Sequence, residues 1–152
     1  MRGFRRLKTT NPGTRRLARE RVLQALYQLD VSGGVSIEEA LEWAWGVHAQ
    51  EEPKQEAAHR FAMELVEGVC ESIEEIDALI DAHSHHWRLE RMSKIDRNIL
   101  RLGVFELKYR EDIPKKVTLN EAIELAKKFG TENSSAFING LLDCLASGTA
   151  KE

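Results

Sequence analysis

The sequence predicts an all-α protein, and three observations carry that reading. Apolar residues recur at spacings of three and four along most of the 152-residue chain, the period of helices that bury one face. The breaks between these runs hold Gly, Pro and Ser/Thr-x-x-Glu patterns, which start and stop helices. No stretch shows the sustained alternation of a half-buried strand, and no internal repeat is present.

Residues 1–13 are basic, contain Thr9-Thr10-Asn11-Pro12-Gly13 and show no apolar period, so they read as a disordered tail. From Thr14, a suitable N-cap, Ala18, Val22, Ala25, Leu26 and Leu29 follow helical spacing, and the first helix is expected to end near Val31, before Ser32-Gly33-Gly34. Ser36 and Glu39 form a capping box for a second helix carrying Ile37, Leu41 and Trp45, which gives out at Glu51-Glu52-Pro53. One long third helix is expected next, with Ala58, Phe61, Ala62, Leu65, Val69, Ile73, Ile76 and Ile80 as its stripe.

After a His-rich joint at residues 83–86 and a short helical turn, Ser93 caps a helix from Lys94 to about Arg110. Its apolar residues Ile95, Ile99, Leu100, Leu102, Val104, Phe105 and Leu107 cover more than half of the circumference, which marks it as the central buried helix. Pro114 is the next break. Thr118 with Glu121 reads as a second capping box, and Gly130 as a left-handed stop. The last helix runs from about Ser134 to Gly148, with Phe137, Ile138, Leu141, Leu142 and Leu145 inward. The chain thus divides into a tail (1–13), an N-terminal helical subdomain (14–82), a C-terminal helical subdomain (83–148) and a short tail (149–152).

A composition of 42% hydrophobic and 31% charged residues fits an ordinary soluble globular protein. No apolar run approaches the roughly 18 residues that span a bilayer, and the basic start lacks the apolar stretch of a secretory signal, so a cytoplasmic protein without membrane contact is expected. Cys70 and Cys144 both fall in apolar helical patterns and are read as small buried thiols in a reducing cytosol.

The net charge of -3 conceals an asymmetry. Residues 1–21 hold eight Arg or Lys against one Glu, whereas residues 38–81 hold two basic against thirteen acidic residues. A basic head on an acidic body points to an anionic partner for the head. Arg15, Arg16 and Arg19 gather there within about a turn, at a helix start whose dipole disfavours cations, and together with the free amides they suit one phosphate backbone. Tyr27, eight residues past Arg19, reads either as an aromatic that stacks on an unpaired base or as a half-buried core residue.

Asp81, His83, His85 and His86 invite a metal reading, but no downstream Cys or His completes a ligand set, and a polar helix junction explains them more simply. Arg97, Arg101 and Lys108 share one face of the central helix, either a solvated edge or a second basic patch. Phosphate loops, dinucleotide fingerprints, HExxH pairs and serine elbows are all missing, so a non-catalytic binding protein without cofactor or metal is expected.

Two stretches carry a family resemblance. One is Arg15-Arg16-Leu17-Ala18-Arg19-Glu20 leading to Gln24-Ala25-Leu26-Tyr27. The longer one comprises Ile95-Asp96-Arg97-Asn98-Ile99-Leu100-Arg101-Leu102, Phe105-Glu106-Leu107, Asp112-Ile113-Pro114, Val117, Asn120-Glu121-Ala122-Ile123-Glu124-Leu125-Ala126-Lys127, Phe129-Gly130 and Phe137-Ile138-Asn139-Gly140-Leu141-Leu142-Asp143. Over about residues 14–146 the chain resembles the NusB family of bacterial transcription antitermination factors.

The resemblance implies seven helices in two small bundles packed across each other. It implies binding of the single-stranded boxA element in ribosomal RNA transcripts, and a heterodimer with NusE, the small-subunit ribosomal protein, in company with NusA, NusG and RNA polymerase. The family's RNA contacts match Arg15, Arg16, Arg19, Tyr27, Asp96 and Arg97, and its NusE contacts are expected at Glu121, Asn133 and Phe137. Leu17 and Ala136 stand where the family often carries basic residues. Two rival readings remain. One is the RNA-binding domain of certain ribosomal RNA cytosine methyltransferases, a reading that requires a fused catalytic domain, which is not expected here; the other is a protein-only scaffold. An empty basic face also leaves room for a homodimer of the free protein.

Overall fold

The computed structural model describes residues 12–46, 56–85, 87–149 and 151. They form seven α-helices: α1 (Pro12–Val31), α2 (Ile37–Gly46), α3 (Glu56–Glu71), α4 (Ile73–His83), α5 (Lys94–Tyr109), α6 (Lys115–Phe129) and α7 (Ser134–Ser147), with a 3-10 turn at Leu89–Arg91. No strand occurs among the described residues. The expected basic tail up to residue 11 and the Glu51-Glu52-Pro53 break lie outside them.

Several helix ends differ from expectation, each for a local reason. α1 begins at Pro12, whose fixed φ and missing N–H suit a first turn, so Thr14 lies inside the helix and is not its cap. The long third helix is two. Ser72 leaves helical dihedrals (φ -112°, ψ 19°) between α3 and α4, yet Val69, Ile76 and Ile80 remain buried on either side, so the stripe continues across the break with only Ile73 part-exposed.

α6 starts three residues before the expected Thr118, because Pro114 holds the extended N-cap conformation (φ -63°, ψ 147°). The Thr118 hydroxyl donates instead to Glu106 Oε1 at 2.7 Å, and both residues are buried. Gly130 ends α6 without a left-handed turn (φ -94°, ψ -167°). Glycine is needed there for space, since a Cβ would lie 2.5 Å from Ser134 Oγ.

Other expectations hold. Glu39 N–H donates to Ser36 Oγ at 3.0 Å, and Ser36 N–H to Glu39 Oε1 at 2.9 Å, closing the capping box of α2. Ser93 Oγ accepts from the Asp96 amide at 3.0 Å at the start of α5. Every residue of α5 from Asn98 to Leu107 is buried, as expected of the central helix.

The chain divides into two units, residues 1–67 and 68–152, and the division falls inside α3. In the first, α1 packs on α2 and buries Ala18, Val22, Leu26, Leu41 and Trp45. In the second, α4, α6 and α7 surround α5, with Ile76, Ile80, Leu100, Ile138 and Leu142 in the core. α4, placed with the first subdomain when the boundary is set at residue 82, packs against α5 and α7 in the second unit.

The cysteines are not the pair of buried thiols expected. Cys70 is half-buried and Cys144 is exposed, on the outer side of α7. Burial pushes the Cys70 thiol above its ordinary range, against the lowering pull of Arg101. Less thiolate and less access both slow its reaction. Iodoacetamide near pH 8 should therefore modify Cys144 several-fold faster than Cys70, read by peptide mass spectrometry; equal rates would contradict the arrangement.

Candidate nucleic-acid interface

The arginines of α1 do not behave alike. The first turn carries no acidic residue to offset their charge. Arg15 and Arg16 are exposed, whereas Arg19 and Arg21 are 3% and 1% exposed. The Arg15 guanidinium carbon sits 4.2 Å above the centroid of Phe61 on α3, and that of Arg19 lies 5.4 Å from the same ring. Arg21 Nη1 donates to Gln24 Oε1 at 3.2 Å and lies 3.9 Å from Glu20 Oε1, so Arg21 belongs to the core. Tyr27 is 39% exposed, a surface aromatic on the same helix, with Leu26 beside it buried.

At the start of α5, Asp96 and Arg97 are both part-exposed. The Asp96 backbone is held by Ser93, but its Oδ1 atom is buried and has no hydrogen-bond partner among the described residues. Asp96 lines a cavity of about 420 Å³ together with Trp87, Arg91, Thr131, Asn133 and Phe137. Trp87 and Phe137 meet edge to face there, centroids 6.5 Å apart. Residues expected to touch RNA and residues expected to touch a protein thus line one cavity. Glu121, on α6, is part-exposed and does not line it.

The second basic patch is not formed. Arg101 is 9% exposed and makes a two-point ion pair with Asp77, Nε to Oδ1 at 2.8 Å and Nη2 to Oδ2 at 2.9 Å. Its Nη1 also donates to Asn98 Oδ1 at 3.1 Å, and Asn98 in turn donates to the Lys94 carbonyl at 2.8 Å. Its charge is spent inside the second unit. At the His-rich joint, Asp81 Oδ1 accepts the Leu89 amide at 2.9 Å and anchors the 3-10 turn, while His83 Nδ1 lies 2.9 Å from the Leu79 carbonyl. These bonds match a polar helix junction; His86 lies outside the described residues.

Phe61 and Trp87 are the functional candidates that pattern reading missed. Phe61 was one apolar residue among eight in a stripe, and only the fold shows arginines on its ring. Trp87 is 56% exposed, and an aromatic in a polar, helix-free joint was the signal available for it.

Comparison with known proteins identifies the family. The NusB family's sequence profile matches residues 16–147. The chain is 60% identical over 134 residues to the transcription antitermination protein NusB of Myxococcus xanthus, covering 88% of this chain and 95% of that one. It is similar to the crystallised NusB of T. maritima, with 40% identity, a TM-score of 0.80 and coverage of 90% and 92%. It is also similar to a chain from a structure of antitermination factors NusB and NusE in complex with dsRNA, with 28% identity, a TM-score of 0.79 and coverage of 91% and 99%. With its profile, its sequence and its seven helices in agreement, the chain belongs to the NusB family.

Proposed function

We propose that this chain is a non-catalytic, RNA-binding transcription antitermination factor. It binds the single-stranded boxA element of ribosomal RNA transcripts together with NusE, and it works beside NusA, NusG and RNA polymerase. The observation that carries the reading is the exposed pair Arg15 and Arg16 at the acid-free start of α1, in a chain of net charge -3. Phosphate beside those guanidinium groups meets their charge at the positive end of the helix dipole. Tyr27 offers a base-stacking face, and the cavity holding Asp96, Asn133 and Phe137 is where RNA and NusE meet. Support comes from the similar NusB chain whose structure contains both NusE and RNA.

The test is a salt titration of binding to single-stranded boxA RNA, to the same sequence as a duplex, and to a scrambled strand, each with and without NusE. Arg15→Ala/Arg16→Ala should weaken binding to boxA and lower the slope of log K against log salt by about 1.4, two phosphates at about 0.7 each. Unchanged affinity and slope would overturn the reading. A protein-only scaffold would show no preference for boxA over the scrambled strand under either condition. Tighter binding to the duplex would replace boxA single strand by double-stranded RNA as the ligand.

A further inference from the structure

Arg15 and Arg19 stand one turn apart in α1, and both lie over the ring of Phe61. Like charges at i and i+4 repel, and the positive end of the helix dipole adds to the repulsion. The ring face of Phe61 carries the opposite partial charge, and both guanidinium carbons lie within 5.4 Å of its centroid. The ring itself has little freedom. It is 6% exposed, on a helix whose neighbouring Ala58, Ala62 and Leu65 are completely buried. Arg15, by contrast, is exposed. A guanidinium held over a fixed ring has fewer orientations to lose, and its planar fork suits two-point contact with phosphate.

We propose that Phe61 is a positioning residue for RNA binding: its ring, with the buried Arg19 beneath, orders the exposed guanidinium group of Arg15 before RNA arrives, so that less side-chain freedom is lost on binding. This rests on the RNA-binding reading of the α1 arginines. Preorganisation of this kind changes affinity without changing the number of phosphates neutralised.

Phe61→Leu should therefore weaken boxA RNA binding by about 3- to 10-fold while leaving the salt slope unchanged, because both arginine charges remain. Phe61→Tyr, which keeps the ring, should bind like the wild type. In an Arg15→Ala background, Phe61→Leu should lose most of its effect; a full, additive effect there would show a merely structural role and overturn the proposal. NMR of the free protein gives a readout that needs no RNA, since the Arg15 side-chain protons should show an upfield ring-current shift that disappears in Phe61→Leu. No such shift in the wild type, or wild-type affinity in a folded Phe61→Leu, overturns the proposal while leaving the RNA reading intact. Arg15→Ala with undiminished RNA affinity is the distinct failure of the RNA reading, and it removes the positioning role even where the ring-current shift is present.

Discussion

Asp77→Ala should lower stability by about 3 kcal/mol and the melting temperature by roughly 6–12 °C. Arg101 delivers two donors to the Asp77 carboxylate, and its side chain is 11% exposed against 25% for Asp77. Removing the carboxylate strands a buried guanidinium with only its remaining contacts, such as that to Asn98. The cost arises from that stranded charge more than from the lost attraction, since an intact buried pair contributes little net stability. The partial exposure of Asp77 puts the expected loss at the low end of the range for buried pairs. Asp77→Ala/Arg101→Met, which removes both charges, should accordingly be more stable than Asp77→Ala alone. Urea denaturation of the wild type, Asp77→Ala, Arg101→Met and the double variant checks this, and a double variant as unstable as the sum of its singles would contradict it.

The ion pair also marks a boundary of what sequence pattern reveals. Periodicity assigns a polar residue on a helix to the solvent face, and it has no means of seeing a partner 24 residues away. Arg101 and Glu106 are buried against partners on other helices, Asp77 and Thr118, and the supposed basic face of α5 disappears with Arg101. Features written in one short segment were legible: the capping box of Ser36 and Glu39, and the wide apolar surface of α5. The break at Ser72 was not, because an apolar stripe continues across a single residue that leaves helical dihedrals.

The candidate interface divides in the same way. Counting charges locates Arg15 and Arg16, but it cannot separate them from the buried Arg19 and Arg21 a turn further on. The common cavity of Asp96, Asn133 and Phe137 joins the start of α5 to the start of α7, a proximity created by packing and by nothing local. Resemblance to the NusB family named those residues singly, and the fold brought them together.

Three helical glycines should respond to the same substitution with different signs, and Gly68→Ala should be the most damaging, at about 3 kcal/mol. Alanine in an exposed helix interior ordinarily gains about 1 kcal/mol over glycine. At Gly68 the added methyl would run into Cζ, Cε1 and Cε2 of Phe105, an 8% exposed ring that also packs against Tyr109, centroids 5.5 Å apart. An entire aromatic edge must move, and overpacking exceeds the helix gain. At Gly103 the methyl would meet Leu142 Cδ1 at 2.8 Å, the end of a rotatable side chain, so the loss should be smaller. At Gly140, exposed on α7, nothing lies within 4 Å, and Gly140→Ala should stabilise the free protein by up to about 1 kcal/mol. Gly68→Ala/Phe105→Leu should recover part of the loss, because the smaller side chain vacates the space the methyl needs. Thermal melts of the four variants decide the matter: a gain at all three glycines would mean that helix propensity, and not the approach of Phe105 to α3, governs Gly68.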